Sequence, residues 1–159
     1  MSFGLEGIIA SAGVLKEHEK DYLNIKVFSL HQGLEMIPVT VELFEEMSGA
    51  EKEQYDPEFD PLFGAATEKM EEWFLKLSEK SKILYFEVWA FSGEVYHAAT
   101  VWEKGQKIFG REHSCSYTFA SDEKTALNDA LRLMGVQKEK SDEFDALQLG
   151  RYRYTEQWV

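Results

Sequence analysis

From residue 83 to residue 91 apolar and aromatic side chains follow one another almost without a break, and after Ser92-Gly93 they resume through residue 102. Aromatic and β-branched residues on both sides of a two-residue turn signal predict a β-hairpin over about 82–103. With Ser92 and Gly93 as the loop, Phe91 faces Glu94 and paired positions sum to 185. Strand alternation then sorts the side chains onto two faces. Leu84, Phe86, Val88, Ala90, Val95, Ala99 and Val101 share the first, with His97 opposite Val88. Ile83, Tyr85, Glu87, Trp89, Phe91, Tyr96 and Trp102 share the second. The first face is a small aliphatic core layer. The second offers large apolar area with polar handles, and is either roofed by a helix or open to a partner.

Helical periods supply the roof. Ala66, Met70, Trp73, Phe74 and Leu77 recur at helical spacing and predict a helix over about 65–80, with Met70, Trp73 and Phe74 as the lid for the second face. Ala126, Leu127, Ala130, Leu131 and Met134 predict another over about 122–134, capped by Ser121 and stopped by Gly135. "NIKVFSL" (24–30) has strand composition, and "HQG" turns it into "LEMI". Pro38 ends that strand and Thr40 caps a short helix "VELFEEM". Residues 5–22 have helical length but two glycines, and leave helix and strand both open. Lys104-Gly105 marks a second turn, followed by a strand "QKIF", a Ser-rich segment to Phe119, a helical turn "SDEFDAL" and a tail "RYRYTEQWV". The whole reads as one α+β domain over 1–159, an antiparallel sheet built around the central hairpin and packed against the two helices. An acidic, Pro-containing loop excursion is expected at about 48–64.

Composition narrows the class. A chain of 159 residues, 44% of them hydrophobic, can bury roughly two-thirds of its unfolded surface without metals or disulfides. Cys115 stands alone, which rules out an internal disulfide and suits a reducing compartment. Ala10-Ser11-Ala12 imitates a signal-peptidase site, but no Lys or Arg precedes it and Glu6 interrupts the apolar run. Neither a signal peptide nor a membrane span is expected, and the expected location is the cytoplasm. Charge changes the picture more. Between Glu42 and Glu72 eleven acids stand against Lys52 and Lys69, a net −9 of the chain's −12. Such a field repels phosphate backbones and attracts basic proteins, so nucleic acid is excluded and a basic protein is the expected partner. A solvated, solubilising surface is the plainer explanation of the same run.

Candidate chemistry is sparse. The alternating acids of Asp56-Pro57-Glu58-Phe59-Asp60-Pro61 imitate the start of a calcium loop, but Pro61 stands where Gly is required and Thr67 where Glu is required. His113 and Cys115, two apart, share a strand face as zinc ligands do, yet lack a second pair. Neither His113 nor His97 gives Cys115 the context of an activated thiolate. His97, on the aliphatic face, reads as a core histidine. Glu87 is the acid in an apolar setting: among Tyr85, Trp89 and Tyr96 its pKa rises if the face closes, or it accepts a tyrosine hydroxyl. Phosphate-cradling glycine motifs are absent. No catalytic residue, metal or cofactor is expected.

Three stretches carry a resemblance: "QGLEMIPVTVELFEEM" (32–47), "ILYFEVWAFSGEVYHAATVWEKGQ" (83–106) and "DEFDALQLGRYRYTEQW" (142–158). Together they resemble small acidic bacterial proteins found beside polymorphic toxin loci, which act as immunity proteins. The resemblance implies a non-enzymatic inhibitor and carries over no functional residue. It agrees with an acidic lobe whose loop aromatics, Tyr55, Phe59 and Phe63, suit an interface core. The expected partner-binding set is Glu51, Glu53, Tyr55, Asp56, Glu58, Phe59 and Asp60. The alternative is a small-molecule site or small enzyme on the face of Tyr85, Glu87, Trp89, Tyr96 and Trp102. A third possibility is a homodimer in which the aromatic faces bury one another.

Overall fold

The computed structural model describes residues 2–49, 66–116 and 125–159, with residues 113–116 described as backbone only. Six strands form one antiparallel sheet in the order β2-β3-β1-β4-β5-β6. They are β1 (Phe3–Ser11), β2 (Phe28–Ser29), β3 (Leu34–Pro38), β4 (Ile83–Phe91), β5 (Glu94–Glu103) and β6 (Gln106–Ser116). Helices α1 (Val41–Ser48) and α2 (Glu68–Ser78) cover one face, and α3 (Ala126–Leu133) and α4 (Glu143–Ala146) the other. The α+β class expected from the sequence is the observed one, with helices on both faces of the sheet. No helix among the described residues is long and apolar enough to cross a membrane.

The hairpin forms in the register that its turn dictates: Ile83 pairs with Trp102, Val88 with His97, and Phe91 with Glu94. Ser92 and Gly93 both take positive φ, 51° and 81°, the backbone of a primed turn whose twist matches that of the flanking strands. Alternation then builds two separate cores. Leu84, Phe86, Val88 and Val101 join Leu5, Ile9, α3 and the C-terminal segment in one; Ile83, Tyr85 and Trp102 join Ile8, Ile37, α1 and α2 in the other. Because both faces are covered, β4 is buried along nearly its whole length.

Residues 3–11 form a strand; of the two glycines that left the choice open, Gly7 lies inside it and Gly13, at φ 93°, lies in the turn beyond it. Gly4 pairs with Trp89 and Gly7 with Phe86. A Cβ on Gly4 would stand 2.5 Å from the Trp89 ring, and one on Gly7 would stand 2.9 Å from that of Phe86. β1 is therefore glycine where β4 is aromatic, a close approach rather than a flexible point.

Other boundaries differ from expectation. β6 continues past "QKIF" to Ser116, because the Ser-rich segment keeps pairing with β5 as far as Glu94. Helix α3 starts at Ala126 with Thr125, not Ser121, as its N-cap, the hydroxyl accepting from Asn128 N at 3.2 Å; Ser121 and Phe119 lie outside the described residues. The C-terminal stretch is built into the fold rather than trailing from it. Gly4 and Tyr154 form a parallel bridge, Thr155 Oγ1 accepts from Glu6 N at 3.0 Å, and Trp158 is buried in the core beneath α3. The expected excursion at 48–64 falls outside the described residues from residue 50 onward.

Candidate functional site

Helix α2 roofs part of the second hairpin face. Thr67 caps it by accepting from Met70 N at 3.3 Å, and its stripe of Met70, Trp73, Phe74 and Leu77 is buried. Phe74 lies between two sheet rings, stacked on Tyr85 at 5.3 Å and tilted against Trp102 at 5.0 Å. At its far end, Ser78 accepts from Lys104 N through its carbonyl (2.8 Å) and from Gly105 N through Oγ (3.0 Å), fixing α2 to the β5–β6 turn. The roof does not reach the hairpin tip, where Trp89 and Tyr96 are half-buried and Phe91 is 68% exposed. One end of the aromatic face is thus closed and the other open.

Between the roof and the β5–β6 edge lies a cavity of about 540 Å³. It exists because the side chains beneath it are small: Ala98 and Thr100 of β5, and Gly110, which pairs with Thr100 on β6. Tyr85, Glu87 and Trp102 line its inner side, Ala66 and Glu71 come from the α2 end, and Lys107, Arg111 and Glu112 from β6. Trp89 and Tyr96, expected on the same ligand face, do not line it. Arg111 is already engaged, its guanidinium paired with Asp129 of α3.

Glu87 is the chemically unusual group. It is 1% exposed. Its Oε1 accepts the Tyr85 hydroxyl at 2.7 Å, while Oε2 has no hydrogen-bond partner among the described residues. The pairing register sets Glu6, Glu87, Ala98 and Glu112 in one row across β1, β4, β5 and β6. Burial first, then the facing Glu6 carboxylate, with a smaller push from Glu112, raise Glu87 to about pKa 9 against the opposing Tyr85 hydrogen bond. Glu6 itself is raised to about 7, by burial and then by Glu156. Like charges directly opposite in a sheet repel, so at neutral pH this pair holds protons. A protonated Glu87 is able to donate a hydrogen bond from Oε2 to a ligand, or to ionise beside a positive group.

The remaining expected residues separate from this site. Glu51, Glu53, Tyr55, Asp56, Glu58, Phe59 and Asp60 lie outside the described residues, as does the calcium-like run they contain. His97 is 6% exposed and lines a second cavity, about 260 Å³, on the opposite face. There Asn128 donates to Asp142 Oδ2 at 3.0 Å and accepts from Phe144 N at 3.0 Å, so that cavity's polar wall is largely self-satisfied. His113 and Cys115 pair through their backbones with His97 and Val95. Among the described residues no cluster of three or more His, Cys, Asp or Glu is placed to hold a metal ion. Sequence reasoning missed Glu6 and Glu112, whose signal was the register across β1 and β6. No protein-family model, curated protein or solved structure matches the chain.

Proposed function

We propose that the chain is a non-enzymatic protein-binding module of the immunity type, which blocks a basic partner such as a bacterial toxin through its acidic lobe. One observation carries the reading. Helices α1 and α2 pack together on one face of the sheet and turn Glu42, Glu45, Glu68 and Glu72 to solvent. In sequence they flank the segment holding Glu51, Glu53, Asp56, Glu58 and Asp60. A single-sign surface of this kind steers an oppositely charged partner and sets its orientation, which suits an inhibitor that must capture quickly.

The test is capture from the native host lysate at roughly 50 and 500 mM salt, a range over which screening removes surface steering. Association rates are then measured with the purified partner. A basic protein held at low salt is expected. Converting Glu42, Glu45, Glu68 and Glu72 together to Gln should slow its association by about tenfold and flatten the salt dependence. An acidic partner, or an association rate unmoved by those changes and by neutralising the five acids of the intervening segment, removes the reading.

A second reading, a small-molecule-binding protein or small enzyme around Glu87, has the cavity in its favour. At about 540 Å³ it falls in the size class of small-ligand sites. Tryptophan fluorescence that responds to a small molecule in the wild-type chain, and not in a folded Glu87→Ala variant, supports this reading over the first.

A further inference from the structure

The molecule shows elsewhere how it accommodates a buried glutamate. Glu143, at the start of α4, is 2% exposed, and Arg132 Nη1 donates to its Oε1 at 3.1 Å. Glu87 is as deeply buried and has no such cation among the described residues. What it has instead is an open volume beside it, Tyr85 and Trp102 rings at that volume's inner side, and two further acids, Glu71 and Glu112, around it. A planar guanidinium meets each of these features. It stacks on aromatic faces, it is weakly hydrated, and its N–H groups pair with a carboxylate.

We propose that the cavity between α2 and the β5–β6 edge binds a guanidinium-type cation, seated against the Glu87 carboxylate and the Trp102 ring. The groups facing Glu87 are Glu6 from β1, Tyr85 from its own strand, Glu112, Lys107 and Arg111 from β6, and Glu71 from α2. Of the two cations, Arg111 is held by Asp129. Glu87 retains its proton at neutral pH, so seating a cation expels that proton, and the cation's apparent affinity rises with pH. The same head group reaches the cavity either as a side chain of a basic partner or as a free small guanidine. In the first case the inference rests on the partner reading above.

Ethylguanidinium, with ethylurea as its neutral counterpart, tests the idea on the full chain. Saturable movement of the Trp102 indole N–H resonance is expected with ethylguanidinium alone. Calorimetry in buffers of differing ionisation enthalpy should show about one proton released per cation, and an affinity rising roughly tenfold per pH unit between about pH 6 and 8. Glu87→Gln should weaken binding by at least tenfold. Gly110→Leu should do the same by filling the cavity, since a Cβ there meets only the Lys107 side chain at 3.6 Å and the backbone does not require glycine. Absence of saturable binding in the folded wild type, equal binding of ethylurea, or binding retained in Glu87→Gln overturns the proposal. Acetyl-Gly-Arg-Gly-amide binding at least as well as ethylguanidinium identifies a peptide side chain as the source; weaker binding identifies a free cation. A chain that binds ethylguanidinium but no basic protein keeps this site and loses the partner reading, and the converse result loses the site alone.

Discussion

Glu143 and Glu87 are buried on opposite faces of the sheet, and the fold treats them in opposite ways. Glu143 sits beside Arg132, whose guanidinium also engages Asp129. Burial alone would lower the Arg132 pKa, but the Glu143 hydrogen bond and charge, joined by Asp129, raise it above the ordinary value. Glu87 faces another glutamate across the sheet and is relieved by one tyrosine hydroxyl. The comparison teaches that burial does not fix a carboxyl's state; its neighbours do. The first glutamate is a structural ion pair. The second is an acid stored in the sheet, the arrangement expected of a group kept for a partner rather than for stability.

The comparison breaks most visibly if the paired glutamate is made to resemble the unpaired one. Arg132→Met leaves Glu143 buried without its cation and should destabilise the chain by roughly 3 kcal/mol. That is the low end for such a loss, because the Arg132 side chain is itself 41% exposed. Adding Glu143→Gln should recover about half of it. Urea denaturation at pH 7 measures both; a loss below about 0.5 kcal/mol would make this a surface pair of little weight.

The next effect has the opposite sign. In the unfolded chain Glu87 titrates near 4.5, while in the folded chain it keeps its proton to about 9. Between those values unfolding releases a proton, so stability is greatest below 4.5 and declines as pH rises toward 9. Glu87→Gln, which has no proton to lose, should stabilise the chain at pH 8 by on the order of 2 kcal/mol and by little at pH 4.5. A shallower decline should remain between 4.5 and 7, where Glu6 still titrates. Thermal denaturation across this range decides it; a gain that does not grow with pH would place the Glu87 pKa in the ordinary range.

What could be read from the sequence was whatever depends on near neighbours. Ser92-Gly93 set the hairpin register, and the spacing of Met70, Trp73, Phe74 and Leu77 named the roof, because both signals lie within one turn or one helix. The facing of Glu6 and Glu87 depends on two strands about eighty residues apart, and Gly7 reads as a breaker until Phe86 lies over it. Of the alternative ligand face, Tyr85, Glu87 and Trp102 line the cavity and Trp89 and Tyr96 do not, for a physical reason. Reading the richest aromatic positions pointed to Trp89 and Tyr96, whereas space opens where side chains are small, at Ala98 and Gly110.

The smallest effect is the most diagnostic of Glu87's state. Tyr85→Phe keeps the ring stacked on Phe74 and removes only the hydroxyl that donates to Glu87 Oε1. At pH 6 Glu87 is neutral, and the loss should be about 1 kcal/mol, the ordinary net value of a hydrogen bond. As pH approaches 9 the acceptor becomes a carboxylate, the bond becomes charge-assisted, and the cost should rise to about 2 kcal/mol. The same hydroxyl holds the Glu87 pKa down, so Tyr85→Phe should also extend the decline in stability to higher pH, its start near 4.5 unchanged. A cost that stays constant from pH 6 to 9 means that Glu87 never ionises in that range. A cation could then be seated only against a neutral acid, and the affinity for ethylguanidinium would not rise with pH.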